Sequence, residues 1–220
     1  MQYEDMTTAR RAAMLVALLA GGAVVTQAGL NATAAMVKGT SPMLAVASLF
    51  GYFTIWSNTL VAAIAARYAA RGAGGGLLTR PGTMAAAAVY IVVVGVIYNK
   101  LLARYNPVTG LRLVVDTVLH SVVPLAYALW WLVLVPRVQL AWRALWPALA
   151  FPFAYCIVAL TRGLSTGKYA YFFIDIGKYG AVQVAMNILG LVMFFAGLMA
   201  LVIAFDRWAH RRGMVSASAG

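Results

Sequence analysis

Asp116 and His120 stand four residues apart in an otherwise apolar run, Leu113 to Val135. On a helix that spacing puts both side chains on one face, one turn from each other. A carboxylate so placed fixes the tautomer of an imidazole and stabilises the imidazolium that forms when the ring takes a proton, the role of the acid in a Ser-His-Asp triad. A packing hydrogen bond between helices would use the same two residues. A general base also needs a nucleophile within hydrogen-bond reach. Thr54, in a second apolar run from Met43 to Ala66, is the hydroxyl to test. On its own, a threonine in such a run commonly bonds back to the i−4 carbonyl.

Other polar groups surround this pair in sequence. Ser57 and Asn58 follow Thr54 at i+3 and i+4, on its face of a helix, and either is placed to donate to a developing oxyanion. Asn99, in the Tyr98-Asn99-Lys100 end of the third apolar run, is equally placed, and Asn187 lies in the sixth run beside Gln183. The commoner role for such amides is to fasten helices together. Arg112, Arg162 and Lys168 stand at the ends of runs, as lipid anchors or as partners for a substrate carboxylate.

Cofactor chemistry fits poorly, and none is expected. The two histidines, His120 and His210, lie in a run and beyond the last one, which suits neither a bis-histidine haem nor, with Cys156 as the one cysteine, a structural zinc. Ser165-Thr166-Gly167-Lys168 lacks the opening glycine and the closing Ser/Thr of a phosphate loop, with Arg162 and Tyr169 in those places. Asn31-Ala32-Thr33 is a three-residue glycosylation match and carries little information.

The elements that must position these groups follow from composition. The chain has 220 residues, of which 64% are hydrophobic and 10% charged, with a mean hydropathy of +0.86. A soluble domain carries about 25% charged residues and leaves too much surface in water to hide this apolar excess. Disorder is excluded by the same argument. The net charge of +12 is scattered between apolar runs, so it reads as flanks of membrane spans facing anionic lipid, with no nucleic-acid partner.

Six runs are long enough to span: Ala12–Leu30, Met43–Ala66, Thr83–Leu102, Leu113–Val135, Ala144–Leu160 and Ala181–Phe205. They lack strand alternation, so the expected fold is all-α, a single six-helix transmembrane domain over 1–212 followed by a flexible tail, 213–220. No charged or broken pair of corresponding spans of the transporter kind is evident. Lys and Arg number ten in alternate extramembrane pieces starting at the N-terminus and seven in the others, which places both termini in the cytoplasm. Trp130, Trp131, Trp142, Trp146 and Trp208 fall at the ends assigned inside, and Tyr98, Tyr105, Tyr169, Tyr171 and Tyr179 at the others. The Ala- and Arg-rich, Lys-poor composition points to a bacterial plasma membrane, with the first span uncleaved. Measured along their helices, Thr54 lies about 16 Å and His120 about 10 Å from the same membrane face, close enough to meet.

Three patches carry a resemblance: Tyr52-Phe53-Thr54-Ile55-Trp56-Ser57-Asn58, His120-Ser121-Val122-Val123-Pro124, and Arg162-Gly163 followed by Tyr171-Phe172-Phe173-Ile174-Asp175. With six spans at similar spacing, the chain resembles the androgen-induced, FAR-17-like family of integral membrane proteins. The characterised animal members are intramembrane threonine hydrolases of fatty acid esters of hydroxy fatty acids. The resemblance implies Thr54 as nucleophile and His120 as base. Phe172 departs from the proline of a Tyr-Pro-Phe turn, and Asp116 from a different polar residue in animal members.

The expected function is therefore hydrolysis of a lipid or fatty-acyl ester within the membrane, by Thr54 and His120 with Asp116 as orienter. The rival readings are a lipid-binding or regulatory protein, in which the cluster only fastens spans, and a transporter.

Overall fold

The computed structural model describes residues 2–74, 76–105 and 107–213. Residues 214–220, most of the expected tail, lie outside them. Every regular element described is helical: α1 (Gln2–Val37), α2 (Pro42–Leu49), α3 (Phe53–Arg71), α4 (Pro81–Ile97), α5 (Leu111–Thr117), α6 (Val123–Leu134), α7 (Leu145–Thr166) and α8 (Ile176–Arg211). A π turn, Tyr98–Leu102, extends α4, and a second, Val118–Val122, joins α5 to α6 into one span. Among the described residues five spans are long and apolar enough to cross a membrane, and α2 with α3 makes a sixth that is bent by 80°. The protein is an all-α polytopic membrane protein.

The second span is thus two helices where one was expected from Met43 to Ala66. Only Gly51 in its sequence hints at the break, and three aromatic side chains satisfy the backbone that the break exposes. Trp56 Nε1 donates to the Phe50 carbonyl at 2.7 Å, Tyr155 OH donates to the Gly51 carbonyl at 2.8 Å, and the Phe53 N–H donates to Tyr171 Oη at 3.0 Å. Irregular backbone at membrane depth persists only with such partners.

Packing begins with small residues. Ala9, Ala13, Ala17 and Ala20 form a buried stripe on α1 against α3, where the absence of bulk lets the helices approach closely. The Arg10 guanidinium donates to the Ala69 and Ala70 carbonyls, so α3 returns to the end of the bundle at which α1 begins and the bent pair crosses it. α4 is the central helix, in contact with α3, α6, α7 and α8, and its Met84–Ile91 segment is wholly buried. Gly95 on α4 sits where an added Cβ would lie 3.1–3.2 Å from Pro124 and the His120 carbonyl, so a larger residue there would have to push the histidine turn away from α4. At Gly180, φ is +76°, and α8 is kinked one turn after its start.

The aromatic belts are smaller than the sequence implies. Trp142, Trp146 and Trp208 are exposed at one end, and Tyr105 and Tyr179 at the other. Trp130 and Trp131 are buried, Trp130 Nε1 donating to the Ala9 carbonyl, and Tyr98 is buried in the site. These three serve packing between helices rather than the interface.

Candidate functional site

Thr54 is the second residue of α3, directly after the break, and His120 lies in the π turn before α6. Thr54 Oγ1 and His120 Nε2 are 3.2 Å apart. His120 Nδ1 lies 2.9 Å from the backbone carbonyl of Asp116 and 3.2 Å from its carboxylate Oδ1. A carbonyl oxygen only accepts, so Nδ1 carries the proton of the neutral ring; Nε2 is then the acceptor and the threonine hydroxyl donates to it. This is the direction of proton flow that activates a hydroxyl nucleophile.

Asp116 is held in turn. The Tyr98 hydroxyl lies 2.7 Å from each carboxylate oxygen, and the Tyr98 ring stacks on the imidazole with centroids 3.5 Å apart and 10° between planes. Tyr98 belongs to the π turn that ends the α4 span, His120 to the π turn of the neighbouring span. Each π turn shifts the register of the residues after it, and such bulges concentrate at functional sites. The sequence marked Tyr98 only as part of a polar triplet; nothing in its spacing tied it to Asp116, eighteen residues on.

Pro124 explains two further residues. It has no N–H, so carbonyls one turn upstream lose their helical donor. Asn58 Nδ2 donates to the Leu119 carbonyl at 3.3 Å, and Asn99 Nδ2 to the His120 carbonyl at 3.0 Å. Both amides also bond back to their own helices, at Thr54 and Gly95. They clasp the histidine turn from two sides, and neither lines the two cavities that reach Thr54, where an oxyanion donor would have to point. Ser57 is buried away from the cavities, and Asn187 ties the Phe173 carbonyl in the connection before α8 to the last span. The hydroxyl that does lie against Thr54 is that of Tyr171: it accepts from Phe53 N–H, and burial raises its pKa, which keeps its proton available to donate. Tyr171 appeared in the sequence only as part of a motif and an aromatic belt.

Two cavities meet at Thr54, Tyr98, Leu102 and Tyr171. One is a cleft of about 620 Å³ toward the end of the bundle, which holds His120 and Asp116 together with Gln27, Asn31, Arg112 and Lys178. The other, about 110 Å³, runs between α4, α7 and α8 and is lined almost wholly by apolar side chains. Arg112 is the one expected cation that reaches the cleft, and it also donates to the Leu30 carbonyl and Asn31. Arg162 lies over Gly51 and Lys168 is exposed, both outside the cleft, whereas Lys178, not singled out in the sequence, lines it. Among the described residues no three His, Cys, Asp or Glu side chains group as a metal site.

No family model, curated protein or solved structure matches the chain.

Proposed function

We propose that the protein is a membrane-embedded hydrolase of lipid carboxylic esters. The observation that carries this reading is the ordered contact Thr54 Oγ1 to His120 Nε2, 3.2 Å, with Nδ1 pinned as a donor and both groups facing a cleft. Thr54 Oγ attacks the ester carbonyl as Nε2 takes its proton. The tetrahedral oxyanion forms beside the N-terminus of α3, whose dipole favours negative charge, and the Tyr171 hydroxyl. Collapse of the intermediate expels the alcohol, which receives the proton from His120 and leaves an acyl group on Thr54. Water enters by the cleft, gives a proton to His120 and a hydroxyl to the acyl carbon, and the fatty acid departs as Thr54 regains its proton.

The resemblance drawn from the sequence supports esters of hydroxy fatty acids as the substrates. In the cytoplasm-facing orientation of the termini, the cleft opens on the outer side of a bacterial plasma membrane. The broken second span also suits a transporter, where half-helix ends build substrate sites. Product formation by the purified protein in detergent, with no second compartment, favours the hydrolase; uptake into vesicles without product favours transport. The direct test is labelling by a lipid-like fluorophosphonate, followed by peptide mapping, with Thr54→Ala and His120→Ala as controls.

A further inference from the structure

The two cavities at Thr54 differ in a way that divides a substrate between them. His120 lines the cleft and is absent from the lining of the apolar cavity. In ester cleavage the histidine that took the threonine proton gives it to the leaving alcohol. The alcohol half must therefore sit on the His120 side, in the cleft, where polar groups and water meet it. The acyl half is left the other direction, past Thr54 into the apolar cavity.

Building on the hydrolase reading, we infer that the apolar cavity is the acyl-chain subsite and that it opens sideways into the bilayer between α7 and α8. Its wall includes Leu149, Pro152, Phe153, Cys156, Leu191 and Val192. Phe153 and Val192 are 63% and 38% exposed on the outer faces of two membrane-crossing helices, so the far end of the cavity meets lipid. At about 110 Å³ the cavity is far smaller than the roughly 300–1,000 Å³ that encloses a whole ligand. It grips the carbons next to the ester and lets the rest of a long chain lie in the membrane. Pro152 lies inside α7 on the cavity wall, and its missing N–H leaves the Ala148 carbonyl to the Tyr90 hydroxyl.

Cys156 supplies the test, because it is the only cysteine in the chain and stands on the cavity wall. Cys156→Phe should fill the cavity and lower turnover of p-nitrophenyl decanoate by about tenfold or more relative to p-nitrophenyl acetate, while Cys156→Ala keeps the wild-type ratio. An unchanged ratio in a folded Cys156→Phe protein would overturn the assignment. A second arm is independent of turnover: in Thr54→Ala, methyl decanoate should slow N-phenylmaleimide labelling of Cys156 and methyl acetate should not. Equal labelling rates overturn the subsite, whether or not Cys156→Phe folds. Protection of Cys156 in a protein that hydrolyses neither p-nitrophenyl ester would retain the acyl cavity and sink the hydrolase.

Discussion

The two ends of the bundle both bury charged and polar groups, and they use them in opposite ways. At the end where α1 begins, Arg137 and Asp206 are each 2% exposed and 3.8 Å apart. Asp206 accepts from Leu140 N–H at 2.8 Å; Arg137 donates to the Trp131 and Leu132 carbonyls that end α6 and stacks on the Trp131 ring. Burial pulls the Arg137 guanidinium below its ordinary pKa, and Asp206 pulls it back. Nothing there faces open space, and the groups lock the Val135–Ala141 connection. At the other end Asp116, His120 and Thr54 are just as firmly held from behind, by Tyr98, Asn58 and Asn99, but their front faces a cleft. Under the proposed function, the difference is that a costly polar group here acts on substrate where part of its bonding capacity points at a cavity and only locks the fold where it does not.

Substitutions at each end should separate the two uses. Thr54→Ala and His120→Ala should each lower ester hydrolysis by on the order of 10³-fold or more, with the double variant no worse than either single, because members of one catalytic unit are non-additive. Their melting temperatures should stay near that of the parent. Asp206→Ala should do the reverse: loss of about 3–5 kcal/mol of stability in denaturation, as one partner of a buried pair is stranded, with turnover per folded molecule unchanged. Thermal melts and initial rates on the same preparations check both, and an Asp206→Ala protein that is stable but inactive would dissolve the contrast.

Asp116→Asn sharpens it. In a Ser-His-Asp triad, loss of the acid costs roughly 10⁴ in turnover because the histidine adopts the wrong tautomer. Here the backbone carbonyl of Asp116 also holds Nδ1, and a side-chain substitution leaves it in place. The expected loss is well short of 10⁴, and a full triad-sized loss would show that the carboxylate alone sets the ring.

The smallest effect expected is Asn99→Ala, which strands the His120 carbonyl behind Pro124 at a cost of about 1–3 kcal/mol. Pro124→Ala in that background restores an N–H near the orphaned carbonyl and should recover part of the stability. If the double variant is less stable than Asn99→Ala alone, the clasp is not what Asn99 provides.

Part of this arrangement was legible in the sequence because it rests on spacing within single helices. The i, i+4 relation of Asp116 and His120 survives even though His120 lies in a π turn. The depth of about 16 Å assigned to Thr54 assumed one straight helix from Met43; the 80° break instead puts Thr54 at the start of α3, so the two residues meet by a packing that the spacing did not contain. The apolar runs located every span but fell short of the helices at several ends, with α1 running from Gln2 to Val37 where Ala12 to Leu30 was expected and α8 from Ile176 to Arg211 where Ala181 to Phe205 was expected. What was not legible depends on partners far apart in the chain. The break at Phe50–Tyr52 is stabilised by Tyr155 and Tyr171, over a hundred residues away. Tyr98 reaches Asp116 only because two π turns lie side by side, and a π turn leaves no distinct residue pattern. Asn58 and Asn99 have the right chemistry for an oxyanion donor, but the Leu119 and His120 carbonyls that Pro124 leaves without a helical donor take their protons; the phenol of Tyr171, filed by its neighbours as an interfacial aromatic, takes the position beside Thr54.

The central claim is that Thr54 is a nucleophile activated by His120. The most direct measurement is the residue that a lipid-like fluorophosphonate modifies in the purified, folded protein, read by peptide mass spectrometry. The account predicts a single adduct on Thr54, lost in His120→Ala at unchanged fold. An adduct on another hydroxyl, or labelling that persists in Thr54→Ala, would contradict it.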